Sequence, residues 1–348
     1  METRAAAQEA TTMDGTVALN TARTMTAVVQ EGQGSADVLQ IRQIPVPQLR
    51  DDQLLVRVHA ASVNAFDYGL VRAGWLVTVF AKLLGRRVRL QGVRGVDLSG
   101  TVEAVGRNVT AFRPGDDVMG VGTGSWAEYA SATERGLVSK PTNISYVEAA
   151  AVGNAGVTAL QAVRDHGKVR AGQRVLVYGA GGGVGTFTVQ IAKAFGGHVT
   201  AVTSTRNIEV VRSLAPDALL DYTRDDITKR PERYDVVFDV AGTRPLGELL
   251  RVLAPGGRVV MVGAAKGGAG SLVARLVAGL IRARVLRQPI LICTASFRHE
   301  DLAVLKDLIE SGKVRPAIDR TFSLAEVREA VRYTMDGQGR AKVVITIA

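Results

Sequence analysis

The stretch Arg174-Val-Leu-Val-Tyr-Gly-Ala-Gly-Gly-Gly-Val-Gly185 decides the fold of the second half of the chain. Its first five residues, Arg174 to Tyr178, are typical of a short buried strand, and helical periodicity follows from Thr186 to Phe195. The glycines between them predict a tight turn without bulky side chains. A helix that begins after such a turn presents free backbone amides, and these amides can bind phosphate groups.

Before this stretch, helical spacing predicts a helix over Val147 to Arg164, and the alternation of strand and helix continues beyond it. A strand is predicted over Val199 to Thr203, a helix over Ile208 to Ala215 and a further strand over Ala218 to Asp221. Three more segments extend the pattern, namely Tyr234 to Val240, Leu246 to Ala254 and Arg258 to Val262. Strands separated by short helices predict right-handed βαβ units. The sequence therefore predicts a doubly wound parallel sheet of Rossmann type.

The segments on either side of this region have a different pattern. Four short strands are predicted in the first part of the chain, at Thr26 to Gln30, Asp52 to His59, Gly95 to Val105 and Asp117 to Val121. Short strands separated by turns favour a β-rich, barrel-like domain. Near the C-terminus, two helices at Glu300 to Ser311 and Leu324 to Met335 precede a last strand, Ala341 to Ile347. We expect an α/β protein with two domains.

The composition excludes several classes of protein. The 348 residues are 47% hydrophobic and 22% charged, which is ordinary for a soluble globular protein. The single cysteine, Cys293, excludes an intramolecular disulfide and a cysteine-rich zinc site. The net charge of +10 is spread along the chain, so a nucleic-acid partner is a weaker explanation of it than a general richness in arginine.

Neither the N-terminus nor the apolar segments predict a membrane span. Residues 1–24 contain acidic residues and no apolar block, so we expect a disordered leader and not a secretory signal. The most apolar later segment, Ser271 to Cys293, is interrupted by four arginines and does not fit a spanning helix. Its part from Leu272 to Ile292 is expected to pack on its own domain or on a second copy of the chain. We expect a cytoplasmic protein.

The glycine turn predicts a cradle for a dinucleotide. Gly182 permits close approach of the backbone to a pyrophosphate, and Gly185 permits the helix to pack on the strand. The first glycine of the usual motif is replaced by Ala180, and a glycine turn without a ligand is the alternative. The residues assigned to the cradle are Gly179, Gly182, Gly183, Val184 and Gly185.

The end of the second strand predicts which dinucleotide is bound. An NAD site usually has an acidic residue there, but Thr203 to Asn207 contains none. Ser204 and Arg206 are suited to the 2′-phosphate of NADPH, and Tyr222 at the end of the third strand is expected to reach the same pocket. A solvated loop is the alternative. The sequence favours NADPH over NADH.

With these residues in place, the chain resembles the medium-chain dehydrogenase/reductase superfamily, and within it the zinc-independent quinone oxidoreductase (zeta-crystallin-like) branch. The resemblance is carried by short motifs in the family order, among them Ala61-Ser-Val-Asn-Ala-Phe-Asp67, Gly100-Thr-Val-Glu-Ala-Val-Gly106, Arg113-Pro-Gly-Asp-Asp-Val118, Trp126-Ala-Glu-Tyr129 and Lys342-Val-Val344. It implies a GroES-like catalytic domain, formed by both ends of the chain, around an inserted Rossmann domain. We expect the catalytic domain at 25–148 and 299–348, and the cofactor domain at 149–298.

The resemblance also implies that no catalytic metal is bound. Where zinc alcohol dehydrogenases have a cysteine ligand, this sequence has Asn64, and where they have Gly-His-Glu it has Gly95-Val96-Asp97. Gly153 and Asn154 lie near the position of the third ligand. A catalytic zinc needs three protein ligands, so we expect none.

The remaining site residues are assigned by the resemblance. Asn64 is expected to touch the nicotinamide ribose or the substrate, or else to cap a turn. Tyr68 is a candidate donor to the substrate, with packing as the alternative, and Asp67 is expected to fix the loop. The residues expected to line the nicotinamide pocket or support the cofactor are Thr158, Val240, Ala241, Val262, Gly263 and Lys342, of which Thr158 has a helix-packing alternative and Lys342 a solvated one.

These features predict an oxidoreductase. Without a metal, reduction of an already polarised double bond is easier than oxidation of an alcohol. We expect NADPH to reduce a quinone or the activated C=C bond of an α,β-unsaturated carbonyl, in a homodimer. One alternative is an NADPH-binding protein of low activity that binds nucleic acid or another partner. Another is a biosynthetic reductase or cyclase with one committed substrate.

Overall fold

A long central strand anchors the first sheet of the computed structural model, which describes residues 23–72, 92–262 and 290–347. This strand, β3 (Gln53–Val63), is almost wholly buried and pairs antiparallel with β5 (Asp97–Val105). The other strands of the seven-stranded sheet are β6 (Asp117–Val121), β7 (Tyr129–Thr133), β8 (Leu137–Ser139), β15 (Ile318–Ser323) and β16 (Lys342–Thr346).

The C-terminal strands complete this sheet. Strand β16 pairs antiparallel with β3, so that Val343 lies opposite Val63. Both ends of the chain therefore build the same β-rich unit, as the resemblance implies. A small sheet of β1 (Thr24–Gln30), β2 (Leu39–Pro45) and β4 (Gly92–Val93) lies beside it.

The second large sheet is parallel throughout. Its six strands run in the order β11-β10-β9-β12-β13-β14. Their bounds are β9 (Arg174–Tyr178), β10 (His198–Thr203), β11 (Ala218–Asp221), β12 (Tyr234–Asp239), β13 (Leu253–Met261) and β14 (Ile290–Ile292). This order and direction confirm the predicted Rossmann sheet. Its strands are apolar because helices cover both faces of a parallel sheet.

The helices differ from the prediction by up to three residues at several ends, and one predicted helix is divided. They are α1 (Ala65–Arg72), α2 (Tyr146–Ala149), α3 (Gly153–Gln161), α4 (Gly183–Ala194), α5 (Ile208–Arg212), α6 (Leu246–Arg251), α7 (His299–Glu310) and α8 (Val327–Met335). The single helix expected over 147–164 is divided into α2, α3 and a π-helical segment, Ala162–Gly167. Helix α4 begins at Gly183 and not at Thr186, because glycines at a helix start carry no apolar periodicity.

Helix α3 joins the two sheets. It packs on α4, which follows the first strand of the parallel sheet, and on α7, and it also contacts β5 and β6 of the β-rich unit. Its buried residues include Ala155, Val157 and Leu160, which belong to the largest apolar cluster of the described residues. The N-terminus of α3 is thereby held against the start of β5.

Some predictions lie outside the described residues. They concern Gly263, nearly all of the leader and nearly all of the apolar segment 272–292, and the side chain of Tyr68 is outside them as well. No helix in the described part of the chain is long and apolar enough to cross a membrane.

Candidate active site

Asn64 lies where β3 ends and α1 begins, and its side chain is held from both sides. Its Oδ1 accepts a hydrogen bond from Lys342 Nζ at 2.6 Å. Its Nδ2 donates to Asp97 Oδ2 at 3.1 Å and to Ser62 Oγ at 3.4 Å. The carboxamide therefore bonds to three side chains of the β-rich sheet and not to the backbone of the following turn. With 8% of its surface exposed, Asn64 is largely shielded from bulk water.

Asp97, the first residue of β5, is the acceptor that unites this network. Its Oδ2 accepts from Ser62 Oγ at 2.8 Å as well as from Asn64, and it lies 3.5 Å from Lys342 Nζ. Its Oδ1 accepts the backbone N–H of Asn154 at 2.8 Å, at the N-terminus of α3. A buried carboxylate needs several donors to offset its lost hydration, and four residues from three chain segments supply them here.

Lys342 is buried in the same network. Its side chain is 3% exposed and comes from the first position of β16. The alternative of a solvated lysine is therefore wrong. Burial lowers the pKa of the Lys342 ammonium group, while the charges of Asp97 and Asp67 oppose that shift.

Asp67 fixes the loop after β3, as predicted. Its Oδ2 accepts the backbone N–H of Asn64 at 2.9 Å, and the residue is 2% exposed. Burial and the negative charge of Asp97 raise the pKa of Asp67 to about 7. Arg94 is also buried and interacts electrostatically with Asp67. Burial lowers the pKa of the Arg94 guanidinium group, and the negative charge of Asp67 opposes that shift. The site thus combines two carboxyl groups and two cationic side chains.

The residue before Lys342, Ala341, contacts the glycine cradle through its backbone. The backbone N–H of Ala341 donates to Gly181 O at 2.8 Å, and Gly182 and Ala341 form a parallel bridge. A Cβ atom at Gly183 would lie 2.9 Å from Lys342 Cδ. The cradle, strand β16 and Asn64 are therefore joined by direct contacts.

The shape of the turn fits a pyrophosphate. Gly179 has a φ of +93°, and a Cβ atom at Gly185 would lie 2.2 Å from Gly179 O, so the helix packs directly on the turn. A Cβ atom at Gly182, in contrast, would have only Gly179 O within 4 Å, at 3.9 Å. No side chain caps α4, so the amides of its first turn, which includes Val184, face this open space.

The carboxyl ends of β10 and β11 contain the residues expected at the 2′-phosphate. Ser204 is partly buried, Arg206 is exposed, and Tyr222 is 45% exposed with its ring 5.9 Å from that of Tyr178. The Arg206 guanidinium donates to the backbone carbonyl of Gly337, beyond the end of α8. The structure thus brings these residues to one edge of the sheet, and Arg206 reaches across to the C-terminal part of the β-rich unit.

Two polar residues at this edge were not assigned from the sequence. Asp221 ends β11, opposite Thr203, and its carboxylate accepts from Thr205 Oγ1 and from Thr223. The hydrogen bond from Thr205 is the main cause of the lowered pKa of Asp221. Asn207 is 9% exposed beside Gly181, and its Oδ1 has no hydrogen-bond partner among the described residues. The sequence does not indicate Asp221 because this residue is far from Thr203 along the chain. It does not indicate Asn207 because this residue lies beyond the end of β10.

The residues predicted for the nicotinamide end surround the other side of the cradle. The backbone N–H groups of Val240 and Ala241 donate to Tyr178 O at 2.9 and 3.2 Å, and Val262 donates to Asp239 O at 3.0 Å. Thr158 lies within α3 and donates to Asn154 O at 2.7 Å, as a helix-packing residue does. The strand ends therefore converge beside the glycine turn, and Thr158 has a structural role of its own.

The described residues offer few metal ligands. Within them, no group of three or more His, Cys, Asp or Glu side chains is arranged to hold an ion. At the positions that bind zinc in the alcohol dehydrogenases, the structure has a network of Asn64, Asp97 and the N–H of Asn154.

Comparison with known proteins agrees with this architecture. The alcohol dehydrogenase GroES-like domain matches residues 50–142, and the zinc-binding dehydrogenase model matches residues 214–345. The 2-methylene-furan-3-one reductase of Solanum lycopersicum is 33% identical over 90% of this chain and 76% of that protein. The chloroplastic NADPH-dependent alkenal/one oxidoreductase of Arabidopsis thaliana is 33% identical over 92% of this chain and 79% of that protein. The structure of the quinone oxidoreductase from Coxiella burnetii superposes with a TM-score of 0.80, at 28% identity, over 94% of this chain and all of that one.

The raised pKa of Asp67 predicts a pH-dependent stability. An unfolded aspartate ionises near pH 3.9, whereas folded Asp67 keeps its proton up to about pH 7. The folded state therefore binds more protons between these values, and stability falls as the pH rises through 7. We expect the wild type to lose about 2–3 kcal/mol of unfolding free energy relative to D67N between pH 5 and pH 8, at 1.36 kcal/mol per pKa unit.

Urea unfolding of both proteins at several pH values measures this difference. The matched control is D307N, which makes the same change at an exposed position of α7 and should track the wild type. A difference between wild type and D67N that stays constant with pH would contradict the assignment.

Proposed function

Since the chain belongs to the medium-chain dehydrogenase/reductase superfamily, in its zinc-independent quinone and alkenal oxidoreductase branch, we propose that it uses NADPH to reduce a quinone or the activated C=C bond of an α,β-unsaturated carbonyl. The observation that carries the proposal is the buried Asn64–Asp97–Lys342 network beside a glycine cradle. The activities named for the tomato, Arabidopsis and Coxiella relatives support the same reaction.

The cradle fits the cofactor on physical grounds. The open space at Gly182 and the uncapped first turn of α4 suit a pyrophosphate. Ser204, Arg206 and Tyr222 are proposed to bind the 2′-phosphate, and the strand ends at Val240, Ala241 and Val262 to line the nicotinamide pocket together with Thr158. When bound, NADPH supplies the hydride that reduces the electrophilic carbon of the substrate.

The chain's own contribution is a hydrogen-bond donor for the substrate that is fixed in advance. Reduction of an enone at its β-carbon would place negative charge on the carbonyl oxygen. We assign Asn64 Nδ2 as a donor to that oxygen, since a donor fixed in advance stabilises the developing charge. A proton from solvent then completes the reduction. Tyr68 remains proposed as a second donor on the substrate side.

The assembly and the location are proposed as well. We propose a homodimer from the resemblance, with the apolar segment 272–292, which comes after β13 in sequence and ends in β14, as its candidate interface. A cytoplasmic location is proposed from the composition of the chain. The nucleic-acid alternative rests on the net charge of +10 alone, and no described feature favours it.

The direct test is the consumption of NADPH in the presence of p-quinones and enones, followed by its absorbance. Turnover with either class, and much less with saturated ketones, is the expected result. Tight NADPH binding without turnover across a broad panel of acceptors would argue against the proposal and in favour of a binding protein.

A substitution in the open part of the cradle separates binding from folding. The Gly182→Ala side chain meets no atom of the described structure closer than 3.9 Å, and φ at this position is −93°, which alanine adopts freely. We expect G182A to unfold at the same denaturant concentration as the wild type but to bind NADPH about tenfold or more weakly, because the methyl group occupies the ligand's space. Its matched control is G185A, whose Cβ clashes with Gly179 O and should lower stability. Unchanged affinity in G182A would place the pyrophosphate elsewhere.

The assignment of Arg206 predicts selective loss of one coenzyme. We expect R206E to raise the KM for NADPH about tenfold or more and to leave that for NADH nearly unchanged, since only NADPH carries the 2′-phosphate. R170E introduces the same charge change at an exposed position before β9, at the other end of the parallel sheet, and serves as the control. Equal effects of R206E on both coenzymes would exclude Arg206 as the phosphate anchor.

A further inference from the structure

The orientation of the Asn64 carboxamide is dictated by its neighbours. Lys342 Nζ has only N–H donors, so the atom 2.6 Å from it must be the Asn64 oxygen. Asp97 is an acceptor, so the atom 3.1 Å from its Oδ2 must be the Asn64 nitrogen. A flipped carboxamide would set N–H against ammonium and oxygen against carboxylate. The lysine and the aspartate therefore select one of the two orientations.

This orientation leaves one N–H of Asn64 directed away from the network. Ser62 Oγ and Asp97 Oδ2 lie only 2.8 Å apart, so both are in the direction of a single N–H of Asn64 Nδ2. The two N–H bonds of a carboxamide diverge by about 120°, so the second points elsewhere. Within residues 23–72, 92–262 and 290–347, no other oxygen accepts from this nitrogen.

We propose that Lys342 is a positioning residue that acts through Asn64: its ammonium group fixes the carboxamide in this orientation and polarises it, which strengthens the second N–H as a donor to the substrate oxygen. The inference rests on the proposed function, in which Asn64 binds that oxygen. A positive charge hydrogen-bonded to an amide oxygen withdraws electron density from the amide nitrogen, and hydrogen bonds in such a chain strengthen one another. In this site a lysine, 278 residues from Asn64 in sequence, supplies positive charge behind the donor.

Burial limits what Lys342 itself can touch. Its side chain is 3% exposed, its stem packs on Gly183 of the cradle, and Asn64 and Asp97 take two of its three N–H groups. A lysine enclosed in this way acts on the substrate through its neighbour. The competing assignment is support of the cofactor alone, and that assignment predicts a different kinetic pattern.

The first test separates these two roles by kinetics. K342M and K342R are compared with the wild type for kcat with an enone, for KM, and for the NADPH dissociation constant measured by fluorescence without substrate. We expect K342M to lower kcat about tenfold and K342R to recover most of that loss. The NADPH dissociation constant should change less than threefold in both variants. Deleting the donor itself in N64A should cost more, about a hundredfold in kcat. K193M, which loses an exposed lysine paired with Asp217, is the control.

A double-substitution cycle tests whether Lys342 acts through Asn64. If it does, K342M/N64A should be no slower than N64A, because the lysine has no donor left to polarise. Independent effects that multiply would overturn the proposal. A weaker NADPH affinity with unchanged kcat in K342M would overturn it in favour of cofactor support.

A spectroscopic test needs neither activity nor cofactor. In protein labelled with ¹⁵N-asparagine, the side-chain signals that vanish in N64A identify Asn64 Nδ2. We expect these signals to shift as the pH rises and Lys342 loses its proton, since burial lowers the pKa of that ammonium group. The charged groups around it are Asp97, Asp67 and, in the field of Asp67, Arg94.

The arginine variant completes this measurement. K342R should abolish the alkaline shift of the Asn64 signals and the corresponding fall of kcat, because a guanidinium keeps its proton. If K342M does not fold, the comparison of the Asn64 signals in the wild type and in K342R still tests the inference. Asn64 signals that do not respond to alkaline pH, or that respond equally in K342R, would overturn the inference. Absence of turnover in the wild type would refute only the proposed reaction, since the Asn64 signals are observed without substrate.

Discussion

The carboxylate of Asp97 is the contact on which the rest of the site depends. It accepts hydrogen bonds from Ser62 and Asn64 around the end of β3, from the backbone of Asn154 at the start of α3, and it pairs with Lys342 of β16. These segments come from the beginning, the middle and the end of the chain. Because a buried carboxylate without donors is very costly, the fold must bring all of them together. The site is therefore assembled by the same contact that joins the C-terminal strand and the linking helix to the β-rich sheet.

Local sequence patterns predicted the parts of the fold that local physics controls. Strands β9 and β11 have the predicted bounds, because a short apolar run between turn residues has few other ways to be buried. The glycine cradle was recognised for the same reason, since steric contacts such as that between Gly185 and Gly179 O allow no other residue. The predicted helix over 147–164 was too long, because its apolar pattern runs on through the residues around Val152, where the backbone leaves one helix and starts the next.

The candidate site was predicted only in part, because its decisive contacts are long-range. Asn64 and Asp97 were noticed as replacements for zinc ligands, but nothing in their neighbourhoods indicates a bond to Lys342. The register of β16 on β3 creates that bond, and register is decided by packing across the sheet. Asp221 was missed for a related reason: it stands far from the second strand in sequence and next to Thr203 in the parallel pair. Residues that meet through strand pairing leave no periodic signal of their own.

In a zinc-independent branch of the superfamily, the positive charge at such a site comes from the chain. A divalent ion carries its charge in a small volume and needs only suitable ligands, whereas an ammonium group must be buried with its stem and loses hydration in the process. Asp97 and Asp67 oppose the fall in the pKa of Lys342 that burial causes, and in return Asp97 and burial raise the pKa of Asp67. The charges of the network thus influence one another's protonation. This arrangement costs stability, and a buried polar network of this kind is retained where the function of a site requires it. The same network makes the donor strength of Asn64 depend on protonation, which a bound metal ion would not do.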